Sequence, residues 1–187
     1  MQFQNIKKKE EGKFITRYDI LYKTENDEEK NYEMISRNND ITDYDGLHGR
    51  NADAVVLMLT SLDNERILLN KEFRMAAGMW VMNFPAGLID SGESPEEAAK
   101  RELFEETGLS LVSIDDYLRK SYSAVGFSNE QNICIIGKAD GEIRESDSQF
   151  EEIQAAWYTR EEVRKLLVSE PFAARTQAYC YLWSKEN

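Results

Sequence analysis

Three glutamates, Glu102, Glu105 and Glu106, lie close together in a segment with the composition of a helix. Spacings of three and four residues bring their side chains to one side of an α-helix, beside its apolar stripe. Each like-charge pair destabilises an isolated helix by about 0.2–0.5 kcal/mol. Arg101 offsets part of this repulsion, and a hard cation such as Mg2+ would offset the rest, because it binds carboxylates together with water and phosphate oxygens. The segment indicates metal-assisted chemistry on a phosphate; the alternative is a solvated acidic helix.

Signals at both ends of this segment predict where the helix begins and ends. Ser94 is placed to cap it, Pro95 suits the first helical position, and Glu97 completes a capping box. Gly108 is placed to end the helix in a left-handed conformation. The helix therefore holds the three glutamates in a fixed relation to one another.

The rest of the chain alternates strand patterns with helix patterns. Two aromatic and branched segments, residues 13–23 and 30–37, enclose a polar run and predict a hairpin. A polar region near Gly46 predicts a boundary, so we expect an N-terminal β hairpin over residues 1–46 and a larger domain over 47–187. In that domain we predict strands over 54–60, 66–74, 79–84, 121–125, 133–137 and 153–158, and further helices over 159–167 and 171–183. Interleaved strands and helices predict an α/β fold with a mixed sheet covered by helices on both sides.

Composition and charge narrow the class of protein. The formal net charge of -12 argues against a non-specific nucleic-acid binder, which needs a Lys/Arg surface. No segment approaches the ~20 apolar residues of a membrane helix, and residues 1–10 lack the apolar core of a signal peptide. Cys134 and Cys180 have no CxxC spacing, which predicts reduced thiols. We therefore expect a cytoplasmic protein with no nucleic-acid or membrane partner. The single histidine, His48, excludes a multi-histidine metal site within one chain.

A fixed spacing runs through the acidic region. Gly87 is followed after five residues by Glu93 and, after seven more, by the run Arg101-Glu102-Leu103-x-Glu105-Glu106-x-Gly108-Leu109. At a typical usage of ~7% per residue type, a chance match at one starting point is on the order of one in a billion. The run matches every position of the Nudix box, so the sequence resembles the Nudix hydrolases over most of residues 48–187. The resemblance implies a Nudix α/β/α sandwich.

It also implies a reaction, a cofactor and a set of site residues. Nudix hydrolases cleave a diphosphate linked to another group, using Mg2+ or Mn2+. At matching positions the metal ligands would be the carbonyl of Ala86 and the carboxylates of Glu102, Glu105 and Glu106. Arg101, Glu105 and Glu106 would be catalytic, and Arg101 with Glu93 would hold the loop against the helix. This agrees with general chemistry, because a metal ion neutralises diphosphate charge and activates water while a carboxylate takes the proton.

Three segments around the box, residues 72–74, 85–93 and 126–130, resemble the ADP-ribose pyrophosphatase branch of the family. That resemblance implies phosphate contact by Arg74 and a homodimer built through the N-terminal piece. Phe127 and Glu130 are candidates for ligand contact because they follow a predicted strand in a glycine-containing loop beside the proposed site. Two positions depart from the branch: Val125 stands where it has a proline, and Asn83 where it has an acidic residue. Both concern the region expected for the base or terminal ribose. Other nucleoside diphosphate sugars therefore stay open beside ADP-ribose.

The proton acceptor is the least defined site residue. In related enzymes it often comes from a mobile acidic loop beyond the box, and residues 141–152 form such a polar segment ahead of a strand. Glu151 and Glu145 are the two candidates in this segment. The alternative is that both are ordinary solvated loop acids.

Together these features predict Mg2+-dependent hydrolysis of a nucleoside diphosphate sugar, with ADP-ribose giving AMP and ribose 5-phosphate. Two alternatives remain open. One is a non-catalytic module that binds ADP-ribose without cutting it, and the other is a Nudix hydrolase of another nucleoside diphosphate derivative or of nucleoside triphosphates. The complete Nudix box and the negative net charge favour the catalytic hypothesis over the binding module.

Overall fold

The N-terminal part of the chain forms a three-stranded antiparallel sheet. The computed structural model describes residues 1–48, 51–146 and 151–186, and this sheet consists of β1 (Gln2–Glu11), β2 (Thr16–Lys23) and β3 (Glu29–Ser36) in the order β1-β2-β3. The predicted hairpin is confirmed as β2 and β3. Its buried hydrophobic side chains are Tyr18, Ile20 and Met34, and they pack with Ile41 and Leu47 from the following segment.

Strand β1 was not predicted, because its sequence is mostly polar. Only Phe3 and Ile6 are partly buried in it, and the remaining side chains are exposed. A strand at the edge of a sheet tolerates polar and lysine side chains, which also discourage pairing with other chains. The N-terminal piece is therefore a larger element than a hairpin.

A second, seven-stranded sheet and three helices form the rest of the fold. The sheet order is β10-β5-β4-β9-β8, with β6 beside β5 and β7 beside β4. Its strands are β4 (Ala54–Thr60), β5 (Arg66–Arg74), β6 (Met79–Asn83), β7 (Ala86–Leu88), β8 (Ser110–Tyr122), β9 (Gln131–Asp140) and β10 (Ile153–Thr159). The helices are α1 (Pro95–Thr107), α2 (Arg160–Ser169) and α3 (Ala174–Trp183).

Both faces of the central strand β4 are buried under helices, which confirms the α/β class. On β4, Val55, Leu57 and Leu59 pack in one core with Ala98, Ala99 and Leu103 of α1. The intervening Val56 and Met58 pack in a second core with side chains of α2 and α3. Successive side chains of a strand point to opposite faces, so the continuous apolar run of β4 supplies a helix-covered surface on each side.

Two predicted elements differ from the structure. A strand was predicted over residues 121–125, but β8 begins directly after α1 at Ser110 and ends at Tyr122. Most of its side chains are exposed, so it lacks the apolar pattern of a buried strand. The last helix was predicted from Pro171, but α3 begins at Ala174 because residues 171–173 pair with β6: Met82 N donates to Pro171 O at 2.8 Å and Ala173 N to Met82 O at 3.0 Å.

The chain divides into two compact units, and the domains of 1–46 and 47–187 stay a prediction. The first unit contains residues 1–53 and 120–132, and the second contains 54–119 and 133–187. The connection between β8 and β9 therefore belongs to the first unit, although it lies far from the N-terminal sheet in sequence. Within the described ranges, none of the helices has the length and apolar content needed to cross a membrane.

The two cysteines are free and buried, as the sequence predicts for reduced thiols. Both lie in the core between the sheet and helices α2 and α3. Burial raises the pKa of the Cys180 thiol to about 12, from an ordinary value of 9.0.

This shift predicts alkaline destabilisation. Above about pH 9 an unfolded Cys180 releases its proton while the folded thiol keeps it, so the free energy of unfolding falls by up to about 1.4 kcal/mol per pH unit as the pH rises towards the folded pKa. Urea unfolding between about pH 8 and pH 11 measures this slope. Cys180→Ala should give a shallower fall than the wild type. Equal slopes in the two proteins would contradict the assignment.

Candidate active site

Helix α1 begins and ends where the sequence predicts. The Ser94 side chain accepts a hydrogen bond from Glu97 N at 3.2 Å, and the Glu97 carboxylate accepts one from Ser94 N at 2.8 Å. Gly108 adopts φ +78°, and its N–H donates to Phe104 O at 2.8 Å. Because both ends are fixed, the glutamates on the last two turns have defined positions.

Arg101 links α1 to the loop before it. Its Nε and one terminal nitrogen donate to the two oxygens of Glu93 at 2.9 and 2.8 Å. The same terminal nitrogen donates to Leu88 O at 2.9 Å, and the other donates to Glu102 Oε1 at 2.7 Å and lies 3.4 Å from Glu105 Oε2. A bidentate guanidinium–carboxylate pair is geometrically specific. The structure thus brings Arg101 and Glu93 together and places the first glutamate of the cluster beside them.

Glu102 lies against the backbone of β7. A Cβ atom on Gly87 would come within 1.9 Å of Glu102 Cδ, so only glycine leaves room for the carboxylate in this position. Ala86, whose carbonyl is a predicted metal ligand, precedes Gly87 in the same short strand. Burial raises the pKa of Glu102, while Arg101 opposes that shift.

Glu106 is the most deeply buried of the three glutamates. Glu106 is 6% exposed, and its Oε2 accepts a hydrogen bond from Asn70 Nδ2 at 2.9 Å. Burial raises the pKa of Glu106 well above its ordinary value, and the negative charges of Glu102 and Glu72 raise it further. The bond from Asn70 favours the ionised form but does not outweigh these effects. A carboxylate held in this way is stabilised by a nearby cation.

The structure adds Asn70 and Glu72 to the predicted site. Asn70 is fully buried, with its Oδ1 unpaired, and Glu72 is 8% exposed. Burial raises the pKa of Glu72, and Asn83, which donates to Glu72 Oε1 at 2.8 Å, lowers it in part. Sequence reasoning missed both residues, although a signal existed: side chains two apart on a strand share a face, so Asn70 and Glu72 share a face with the predicted phosphate contact Arg74.

The two candidate proton acceptors differ in their relation to this cluster. The Glu151 charge raises the pKa of Glu72, Glu102 and Glu106, so its carboxylate lies within electrostatic reach of all three. Glu145 is exposed and is not among the main contributors to these shifts. The middle of the predicted acidic loop, residues 147–150, lies outside the described residues.

The predicted substrate contacts fall in two places. Arg74 lies beside the acidic cluster, with one terminal nitrogen 3.6 Å from Glu72 Oε1. Phe127 and Glu130 belong to the first compact unit. There Glu130 forms an ion pair with Arg37 at 2.5 Å, and Phe127 O accepts a hydrogen bond from Ile35 N at 2.8 Å. The structure therefore does not bring Phe127 and Glu130 into the compact unit that carries the glutamates.

The donor atoms of the cluster fit a hard divalent cation. Glu102, Glu106 and the unpaired Asn70 Oδ1 offer oxygens, and burial of the two carboxylates leaves negative charge that a cation would neutralise. In the described part of the chain, no three His, Cys, Asp or Glu side chains already form a set that could hold a metal ion. Mg2+ does not need one, because it keeps several waters and is usually bound by one or two carboxylates plus substrate phosphates.

Comparison with known proteins places the acidic cluster inside a recognised domain. The family model of the NUDIX domain matches residues 50–179, which is more than half of the chain. An ADP-sugar pyrophosphatase of Mus musculus is 49% identical over 63 residues, covering 32% of this chain and 29% of that protein. An ADP-ribose pyrophosphatase of Bacillus subtilis is 31% identical over 137 residues, covering 70% of this chain and 72% of that protein.

A solved structure has the same fold. The crystal structure of an ADP compounds hydrolase aligns with a TM-score of 0.71 at 19% identity, covering 98% of this chain and 92% of that one. At this identity the likeness concerns the fold alone. The chain spans less than half of the length of the mouse protein and of several other curated relatives that it matches.

Proposed function

This chain belongs to the Nudix family, and we propose that it hydrolyses the diphosphate bond of a nucleoside diphosphate sugar in the presence of Mg2+. The proposed first substrate is ADP-ribose, which would give AMP and ribose 5-phosphate. The observation that carries the proposal is a pair of acids on α1. Glu106 is buried and accepts a hydrogen bond from Asn70, and Glu102 lies against Gly87 of β7. The relatives named as ADP-ribose and ADP-sugar pyrophosphatases support this substrate class.

The acids of the site are proposed to bind the metal ion. Glu102 and Glu106, with the Ala86 carbonyl and Glu105 beside them, would hold Mg2+ or Mn2+. A bound divalent ion supplies positive charge that neutralises the diphosphate and lowers the pKa of the attacking water. Asn70 keeps one oxygen of Glu106 fixed.

Bond making and breaking involve the loop acid. Water attacks one phosphorus of the P–O–P bridge, and the bridging oxygen leaves with the other phosphate. Glu151 accepts the proton of that water, a role that its electrostatic coupling to Glu102 and Glu106 supports over Glu145. Arg74 contacts a phosphate from β5, and Arg101 holds the loop of Glu93 against α1.

The test is release of AMP from ADP-ribose by the purified protein, with Mg2+, with Mn2+ and with a chelator. A panel of other ADP-sugars, other nucleoside diphosphate sugars and nucleoside triphosphates then ranks kcat/KM. Metal-dependent cleavage with ADP-ribose ranked first is the expected result. Tight binding of ADP-ribose without any product would support the non-catalytic module, and a preference for triphosphates would support the third hypothesis.

We also propose a cytoplasmic homodimer. The buried free thiols support a reducing compartment. The first compact unit exposes large apolar side chains, including Phe14 at 68% and Val125 at 76%, and exposed apolar surface of this kind is typical of a protein interface. Light scattering should give a mass of twice the 21.7 kDa of the chain; a monomer at micromolar concentration would contradict the dimer.

A further inference from the structure

One face of β5 carries three polar side chains in a row. Leu68 lies in the core beside α1, and because side chains alternate along a strand, Asn70, Glu72 and Arg74 follow it on the same face. The pairing of β5 with β6 runs without interruption from Asn70 to Arg74, so nothing disturbs this alternation. The strand thus changes from apolar to polar on the face that carries the Asn70–Glu106 hydrogen bond.

Glu72 is held by a chain of hydrogen bonds that begins in α3. Thr176, which is 1% exposed, donates from Oγ1 to Asn83 Oδ1 at 2.8 Å. Asn83 Nδ2 then donates to Glu72 Oε1 at 2.8 Å. Thr176 Oγ1 itself accepts from Phe84 N at 3.3 Å. Each member is fixed by the one before, so the carboxylate has a defined orientation.

This chain also accounts for the departure at Asn83. The resembled branch has an acidic residue at this position, and an acid here would face the Glu72 carboxylate across the two strands. Two buried carboxylates in contact repel each other, whereas an amide satisfies both neighbours: it donates to Glu72 and accepts from Thr176. This chain therefore carries the carboxylate of this region on β5, as Glu72, and an amide on β6, as Asn83.

The cation beside Glu72 is Arg74. A terminal nitrogen of its guanidinium lies 3.6 Å from Glu72 Oε1, the Glu72 side chain is 10% exposed, and the Arg74 side chain is 59% exposed. A guanidinium has five N–H donors in a rigid fork. One terminal nitrogen of that fork approaches Glu72 at ion-pair distance, and the exposure of the side chain leaves the donors accessible at the border of the acidic cluster.

We propose that Glu72 is a positioning residue that fixes the Arg74 guanidinium for contact with a phosphate of the substrate. The inference rests on the proposed function, since it assumes a diphosphate at the cluster. Glu72 adds negative charge to a site that must accept an anion, and its contact with Arg74 gives that charge a function there. Asn83 and Thr176 serve the same purpose one and two steps further from the substrate.

Substitution of Glu72 by glutamine tests the role, because glutamine keeps an oxygen for Asn83 but loses the charge that attracts Arg74. We expect KM for ADP-ribose to rise about tenfold, which corresponds to about 1.4 kcal/mol of lost binding, with kcat within about threefold of wild type. Loss of binding with retained kcat is the signature of an interaction made equally in the ground and transition states. A large fall in kcat at unchanged KM would overturn the positioning role.

A double-mutant cycle shows whether Glu72 acts through Arg74. Calorimetry with Mg2+ and α,β-methylene-ADP, whose diphosphate bridge cannot be hydrolysed, gives Kd for wild type, Glu72→Gln, Arg74→Ala and the double variant. The Glu72→Gln effect should vanish in the Arg74→Ala background, because coupled residues are not additive. An undiminished effect in that background, or no effect in either, would overturn the proposal.

Two controls separate this inference from folding and from the proposed function. Glu161→Gln makes the same chemical change at an exposed ion pair with Lys165 on α2, on the other side of the sheet from α1, and should leave Kd and KM unchanged. Thermal melting of all variants checks folding. If the wild-type protein cleaves no diphosphate, the proposed function is wrong. The double-mutant cycle still tests the role of Glu72, because it measures only binding.

Discussion

Glu106→Gln is expected to lower diphosphate turnover by on the order of a thousandfold while raising the unfolding temperature of the metal-free protein. The loss of activity follows because glutamine cannot supply the charge that a catalytic cation needs. The gain in stability follows because a desolvated carboxylate near Glu102 and Glu72 is unfavourable when no cation is present. Relieving that penalty is worth about 1–3 kcal/mol, and the glutamine oxygen can still accept from Asn70.

The stability gained by Glu106→Gln depends on pH. The pKa of Glu106 is raised in the folded state, so between the ordinary glutamate pKa and this raised value the folded protein binds more protons than the unfolded one. Stability of the metal-free wild type therefore falls as pH rises through this window and is regained as pH falls. The advantage of Glu106→Gln should be largest at neutral pH and disappear below the ordinary pKa of 4.5.

Thermal melting with and without Mg2+ measures both effects. Mg2+ should stabilise the wild type, because a ligand that binds only the folded state adds to its stability, and should stabilise Glu106→Gln much less. Glu96→Gln is the matched control: it lies on the same helix, is exposed and pairs with Lys100, and should change neither turnover nor the response to Mg2+. Equal stabilisation of wild type and Glu106→Gln would remove Glu106 from the metal site.

Gly87→Ala is expected to lower turnover by on the order of a hundredfold with little change in unfolding temperature. The new Cβ would lie 1.9 Å from Glu102 Cδ and 2.1 and 2.3 Å from its two oxygens. These atoms form the far end of a flexible side chain, so Glu102 can move aside at small cost to folding. A Glu102 carboxylate displaced by about an ångström or more no longer reaches the metal ion. A misplacement of this size lowers the reaction rate by about a hundredfold.

Gly137→Ala is the informative comparison, since it adds the same methyl group in a different setting. Its Cβ would lie 2.1 Å from the backbone oxygen of Ser113 on the neighbouring strand, and a backbone atom cannot rotate away. Overpacking of this kind destabilises by about 1–3 kcal/mol or more. We expect Gly137→Ala to melt lower than Gly87→Ala but to keep its activity per folded molecule. If Gly87→Ala melted as low as Gly137→Ala, its loss of activity could not be assigned to Glu102.

Local sequence signals determined the elements that carry the site. Ser94, Pro95, Glu97 and Gly108 defined α1 because capping depends on neighbouring residues alone. The apolar run of residues 54–60 likewise defined the strand β4, because its residues are consecutive in the chain. The spacing of the acids on α1 followed from the period of the helix. These properties need no information from distant parts of the chain.

The tertiary structure decided how each acid differs from its neighbours. Glu102, Glu105 and Glu106 are equivalent in sequence, yet only Glu106 is buried and bound by Asn70, which is 36 positions away. The network joining Glu72 to Asn83 and Thr176 likewise connects β5, β6 and α3. Burial and the pKa shifts that it causes depend on what packs around a group, and that is set by contacts between segments far apart in the chain.

The same reason explains the strands and contacts that sequence reasoning missed. β1 and β8 are strands because neighbouring strands supply their hydrogen-bond partners, although their own polar side chains give no strand pattern. Phe127 and Glu130 follow the box in sequence, yet the chain folds them onto β3 and Arg37 of the first compact unit. The sequence alone determined which chemical groups the protein has and the helix that holds three of them. Only the packing of distant strands decided which carboxylate is desolvated, because desolvation is a property of surroundings and not of a residue.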